Sequence, residues 1–151
     1  MMTVRFRRIP TPQGRVPQLP RHATAGAAGA DLTANIDAPL TLAPMARAVI
    51  PTGLAMELPD AGYGAFVFAR SGLGIKHGLT LSNGVGVIDS DYRGEVSVGL
   101  VNLSDRAYTI QPGERIAQLC ILPVMQFTAV EAEELAQTGR GTGGFGSTGR
   151  Q

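Results

Sequence analysis

Polar and apolar residues alternate along Glu95-Val96-Ser97-Val98-Gly99-Leu100, the two-residue period of a half-buried strand. Shorter strand-like runs precede it at Val4–Ile9, Leu40-Thr41-Leu42, Ala48-Val49-Ile50, Leu54–Leu58 and Leu79-Thr80-Leu81. Pro44, Pro51 and Pro59 separate several of them, and Pro10–Pro20 reads as an irregular connection. Gly64–Ala69 is nearly all apolar, which predicts a strand buried on both faces. Downstream lie Val101–Leu103, Tyr108-Thr109-Ile110, a turn at Gln111-Pro112-Gly113-Glu114, and a long strand over Arg115–Leu122. The only helix predicted is short, with Ser71 as its N-cap and its end near His77. From about Thr128 the pattern fades into an acidic patch, Glu131, Glu133 and Glu134, and then a glycine-rich tail.

Composition supports one β-rich domain. The 151 residues include 20 Gly and 10 Pro, which favours turns and short strands over long helices. Charged residues are only 17% and no apolar run is long enough to span a membrane, so part of the surface is expected to be buried against other copies. A net charge of +1 leaves no nucleic-acid footprint. Cys120 is the single cysteine; it sits in an apolar run and suits a reducing compartment. Residues 1–30 carry five arginines and no acid, as a transit peptide would, but four prolines and the alternation at Val4–Arg7 argue for a strand.

Candidate chemistry concentrates at Gly84–Glu95. Two carboxylates, a tyrosine, an arginine and several glycines lie between two strands, after a tight-turn signal at Asn83-Gly84. One reading is a hairpin with solvated charges. The other is a pocket wall, where glycines let the backbone approach a flat ligand, Tyr92 gives it a surface, and Asp89 supplies a base. Asp31, after the small residues Ala23–Ala30, is either a turn aspartate or a residue near a ligand. Arg70 beside the helix start is either solvated or part of an anion site. Gln118 interrupts an apolar strand and needs a partner, backbone or ligand. Gly141, Gly143 and Gly146 match G-x-G-x-x-G, but no strand precedes and no helix can follow, so a dinucleotide fingerprint is rejected. No His, Cys or carboxylate spacing makes an inner-sphere metal site.

Five segments, Ala28–Leu32, Arg70–Gly72, Gly86–Glu95, Gly113–Gln118 and Arg140–Gly149, resemble in order and spacing the five motifs of the trimeric deoxyuridine triphosphatases (dUTPases). The resemblance spans nearly the whole chain. It implies an all-β, jelly-roll-like β-barrel with one short helix over residues 1–136, and a flexible glycine-rich arm over 137–151 that closes over the active site. It also implies a cytoplasmic homotrimer with sites between subunits, taking neither nucleic acid nor membrane as partner, that cleaves dUTP to dUMP and pyrophosphate with Mg²⁺. By resemblance Asp89 is the general base and Asp31 holds the metal through water. Arg70, Ser71, Gly72 and Gln118 are the phosphate cradle. Tyr92 packs beneath the deoxyribose; Asn83 and the backbone at Gly86, Val87 and Ile88 read uracil. Phe145 stacks on the base, while Arg140, Ser147 and Thr148 reach the outer phosphates. Ala30 stands where many relatives carry a larger residue. Asp91 is assigned to solvent and Arg93 either to the site or to a structural ion pair.

Two alternatives are weighed against this. A dCTP deaminase of the same fold needs a glutamate base and lacks the Asp-x-x-Tyr-Arg-Gly run present here. A non-catalytic nucleotide-sensing module would not need both Asp89 and the arm.

Overall fold

The computed structural model describes residues 2–144. The chain runs β1 (Arg5–Arg8), β2 (Arg21–His22), β3 (Ala30–Thr33), β4 (Leu40–Leu42), β5 (Arg47–Glu57), β6 (Tyr63–Ala69), α1 (Ser71–His77), β7 (Leu79–Leu81), β8 (Gly86–Ile88), β9 (Glu95–Asn102), β10 (Tyr108–Ile110) and β11 (Arg115–Pro123). One sheet has the order β1-β5-β9-β7, a second β2-β3-β11-β6-β8, and β10 pairs with β4. Every pairing is antiparallel. The two larger sheets share a core of Leu32, Ile50, Leu54, Val67, Leu79, Val98, Leu100 and Ile116, among others, and Leu73 of α1 packs into it. Each such side chain, fully buried, contributes about 1.5–3 kcal/mol. This is the expected jelly-roll-like all-β architecture with one short helix.

The alternation predicted for β9 is observed. Val96, Val98, Leu100 and Asn102 are buried, while Ser97 faces out. Asn102 is fully buried and satisfied: its amide donates to Leu42 O at 2.9 Å and Arg106 O at 2.7 Å, and its oxygen accepts from Ser104. At the other turn, the Tyr108 phenol donates to Glu114 at 2.5 Å. Burial, with that bond adding, pushes the phenol up to about 12, so it remains a donor.

Three details differ from expectation. Ala48–Ile50 and Leu54–Leu58 are not separate strands; β5 runs through Pro51 because the register with β9 slips there. Pro51 lies opposite Ser97 and Leu54 opposite Val96, so Thr52 and Gly53 have no opposite residue. This bulge absorbs the proline. Thr52 Oγ1 donates to Val96 O at 2.6 Å, and the Gly53 N–H donates to Glu95 Oε1 at 2.8 Å. Ser71 is not the helix cap: Arg70 occupies that position with extended backbone and no side-chain cap bond. Lastly, Leu79–Leu81 pairs with the strand from Glu95 as a hairpin would, but the intervening chain is no plain connection: it crosses to the other sheet as β8.

Gly53 has φ +71°, and a Cβ there would overlap the Asn35 amide and lie 2.8 Å from Ile9 O. Gly14 has φ +85° but open space around it. Gly14→Ala should therefore cost only the left-handed backbone penalty of about 1–2 kcal/mol. Gly53→Ala should cost at least about twice that, read as the difference between the two denaturant midpoints.

Candidate active site

The chain leaves the first sheet after Leu81 through a turn closed by Gly84 N–H to Leu81 O at 3.3 Å, with Gly84 at φ +75°. It then adds β8 to the edge of the second sheet, with Gly86 opposite Val67 and Ile88 opposite Ala65. A Cβ on Gly86 would sit 3.0 Å from that of Val67, so glycine allows this close approach. The chain returns to the first sheet at Glu95. The detour opens a cavity of about 380 Å³. Val67, Leu81, Val96 and Val98 form apolar wall; Asn83, Asp89, Tyr92, Glu95 and Ser97 supply polar groups; Gly86, Val87, Ile88 and Gly99 complete the lining.

Part of Gly84–Glu95 thus lines a cavity, the geometry a pocket wall requires. Asn83, Gly86, Val87, Ile88, Asp89 and Tyr92 come together in this cavity. Asp89 is exposed, and its carboxylate has no hydrogen-bond partner among the described residues. Its main-chain oxygen accepts from the Tyr92 N–H at 3.2 Å, which closes the loop. Arg93 braces the same loop, donating to Ser90 O at 2.7 Å and Tyr92 O at 3.1 Å, and makes no ion pair among the described residues. Asp91 is exposed and outside the cavity. The Tyr92 phenol donates to Glu95 O at 3.2 Å. Its ring lies over Gly94, where a Cβ would be 2.5 Å from Cζ. Glu95, Ser97 and Gly99 were not singled out from sequence. Their strand alternation placed them on the outer face of β9, but nothing in it reveals that β8 crosses beside them.

The remaining candidates form a second group. None of Asp31, Arg70, Ser71, Gly72 and Gln118 lines that cavity. Asp31 Oδ1 accepts from Arg70 Nε and Oδ2 from Arg115 Nη1, each at 3.0 Å. Arg70 also donates to Arg115 O at 3.1 Å. Arg70 is therefore anchored, neither loose in solvent nor free to swing, and Asp31 is an ion-pair partner with its side chain 11% exposed. Gln118 lies opposite Asp31 on one side and Phe68 on the other, half-buried, with no side-chain partner among the described residues. Ser71 and Gly72 are exposed at the helix start. Two guanidiniums on one carboxylate leave a positive surplus, which suits an anion. No three His, Cys, Asp or Glu converge on a metal position among the described residues.

The two groups are far apart in one chain. Asp89 follows Ile88, which sits opposite Ala65, whereas Arg70 is five residues beyond Ala65 along β6 and its continuation. At about 3.4 Å per residue this is about 17 Å. Arg140 lies in a turn where its Nε donates to Gly143 O at 2.8 Å, and it has no hydrogen bond to either group among the described residues. Phe145, Ser147 and Thr148 fall outside the described residues.

A family model described as dUTPase matches residues 17–149. The chain is 57% identical over 135 residues to the deoxyuridine 5'-triphosphate nucleotidohydrolase of Desulfitobacterium hafniense (strain DSM 10664 / DCB-2), covering 89% of each. It is 57% identical over 136 residues to the protein of that name from Thiobacillus denitrificans, covering 89% of this chain and 92% of the relative. Among solved structures, the Staphylococcus bacteriophage 80alpha dUTPase with dUPNHPP is similar at TM-score 0.85 and 27% identity, over 97% of this chain and 98% of that one. The fold is also that of a mutant dUTPase from phage phi11 of S. aureus, described with a structural Mg(II) ion, at TM-score 0.76 and 24% identity over 89% and 99%.

Because Gly94 underlies the Tyr92 ring, Gly94→Ala should displace that ring without unfolding the chain. Of the three tyrosines, only Tyr92 should change its aromatic NMR signals, with Tyr63 and Tyr108 unmoved.

Proposed function

The chain belongs to the dUTPase family, and from that premise we propose that it hydrolyses dUTP to dUMP and pyrophosphate at the cavity beside Asp89. The observation that carries the proposal is the pairing of an unencumbered carboxylate with Tyr92 on a wall of bare β8 backbone. The Gly86, Val87 and Ile88 backbone, with Asn83, presents donors and acceptors to the edge of uracil. Cytosine's amino group would leave such groups unmatched, which is costly in a closed pocket. Tyr92 lies under the deoxyribose and leaves no room for a 2′-hydroxyl. Glu95 also reaches the cavity, but one of its oxygens already accepts the Gly53 N–H, which makes it a poor candidate for a deaminase base.

Asp89 accepts a proton from a water as that water's oxygen bonds to the α-phosphorus. The bond from the α-phosphorus to the bridging oxygen breaks, and pyrophosphate leaves with the electron pair. Catalysis here is positioning and charge neutralisation. Arg70, with Ser71, Gly72 and Gln118, meets the phosphates, and the Asp31 anchor presents the guanidinium in a set orientation. Arg140, Phe145, Ser147 and Thr148, on an arm over residues 137–151, close over base and outer phosphates.

The donor set fits magnesium only at second hand. Asp31 is held by two guanidiniums, so it could receive a metal-bound water on a remaining lone pair but not serve as one of several direct ligands. Bound to the triphosphate oxygens, Mg²⁺ would neutralise charge and order the chain of phosphates.

The separation of Asp89 from Arg70 supports complete sites built between subunits of a homotrimer. So does the apolar surface of residues 124–135, where Met125, Phe127, Val130 and Leu135 are each more than four-fifths exposed. No helix among the described residues is long and apolar enough to cross a membrane. A cytoplasmic location is in keeping with the single cysteine, Cys120, which suits a reducing compartment.

A panel of dUTP, dCTP, dTTP and UTP with Mg²⁺ tests the reaction. The expected result is dUMP and pyrophosphate from dUTP alone; a deaminated product from dCTP would overturn it. Asp89→Asn should retain nucleotide affinity while kcat falls by about 10²–10⁴-fold. Truncation before Arg140 should leave a folded oligomer with greatly impaired hydrolysis, checked by sedimentation and turnover together.

A further inference from the structure

We propose that Glu95 is a positioning residue for the sugar gate, fastening the Asp89–Gly94 loop to the bulge in β5. This rests on the reading of Tyr92 as the surface beneath the deoxyribose. Glu95 is the first residue of β9 and the last fixed point of the loop. Its main-chain oxygen accepts the Tyr92 phenol at 3.2 Å. Its carboxylate Oε1 accepts the Gly53 N–H at 2.8 Å. A single residue thus joins the aromatic ring of the cavity to the irregularity in the neighbouring strand.

The bulge explains why a side-chain acceptor is needed. Thr52 and Gly53 lack opposite residues in β9, so the Gly53 N–H has no ladder acceptor. The Gly53 carbonyl accepts from Ile9 N–H at 2.7 Å, and the Ile9 carbonyl accepts from the Asn35 amide at 3.1 Å. Gly53 is therefore held on its other side by β1's continuation and by Asn35. A buried donor without an acceptor is costly, so the bulge pulls Glu95 inward and keeps it there. With that side chain fixed, residue 95 cannot roll about the strand axis. Its carbonyl then stays directed at the Tyr92 hydroxyl, and the ring stays over Gly94. Asp89 is tied to the same loop through the Tyr92 N–H.

Three variants test this. Glu95→Ala removes the acceptor, Glu95→Gln keeps a neutral one, and Thr52→Val removes the other side-chain bond of the bulge without touching the loop. Glu95→Ala should lower the preference of kcat/KM for dUTP over UTP by at least about tenfold, since displacements near 1 Å have effects of that size or larger. Glu95→Gln should restore most of that preference. Thr52→Val should lower the melting temperature and leave the preference intact. The proposal is overturned if Glu95→Ala keeps its preference, or if Glu95→Gln loses as much as Glu95→Ala, which would mean that the charge acts on substrate. It is equally overturned if Thr52→Val loses the preference too. A readout without turnover separates this claim from the reaction itself. The Tyr92 aromatic NMR signals should move in Glu95→Ala and not in Thr52→Val, whatever nucleotide the unaltered chain hydrolyses, and unmoved Tyr92 signals in Glu95→Ala would sink the idea.

Discussion

Three residues of β8 hydrogen-bonded to the edge of β6 hold the cavity open. Without that pairing, residues 82–94 would be a long loop free to collapse onto the outer face of β9. With it, the loop is stretched between two sheets and supported at both ends. The pairing depends on Gly86, because any side chain there would press on Val67. It also depends on β6 being an otherwise apolar strand buried against β11, a rigid rail for the three residues to dock on. One missing side chain thus permits a sheet edge, and that edge opens the cavity.

The second group obeys a different constraint. Asp31 lies between two guanidiniums, and removing it would leave two cations facing each other. The pair is only partly shielded, with Arg115 54% exposed at its side chain, so its net contribution to stability is small, about 1 kcal/mol or less. Its value is geometric. Arg70 donates Nε to the carboxylate and Nη1 to the Arg115 carbonyl, which locks the plane of the guanidinium. The Nη2 amino group has no partner among the described residues.

Much of this was legible in the chain. Prolines and period-two alternation located most strands, and the apolar run Gly64–Ala69 marked the rail, although it is not buried on both faces as expected: Phe66 and Phe68 are only half-buried. Misreadings came from effects with no local signature. Pro51 looked like a strand breaker because the bulge that absorbs it is defined by β9, far away in sequence. The turn at Asn83-Gly84 and the pairing of the flanking strands were legible, but the crossing of Gly86–Ile88 to the other sheet was not. Ser71 looked like a cap, yet Arg70, held by Asp31, already sets the backbone where the helix starts. Glu95 read as a polar strand residue, since its role follows from the N–H that the same bulge orphans. Gln118 still has no side-chain partner among the described residues, which leaves its polar group available on the Asp31 face of the sheet.

Antiparallel pairing decides how far one chain can go toward a complete site. β8 and β6 run in opposite directions, so each residue added after Ile88 carries the chain further from the end of β6 that leads to Arg70. Lengthening or bending the loop cannot bring Asp89 to Arg70 without breaking the pairing that forms the cavity. The nucleoside pocket and the phosphate cradle are thus tied to opposite ends of the same strand pair. If both serve one nucleotide, as proposed, a second copy must bring its cradle to the first copy's pocket. The apolar residues left exposed over 124–135 are the kind of surface such an assembly would cover. On the proposed reading, strand direction makes oligomerisation a requirement of the chemistry, and the modest charge of the chain, 17% of residues, suits surface to be covered.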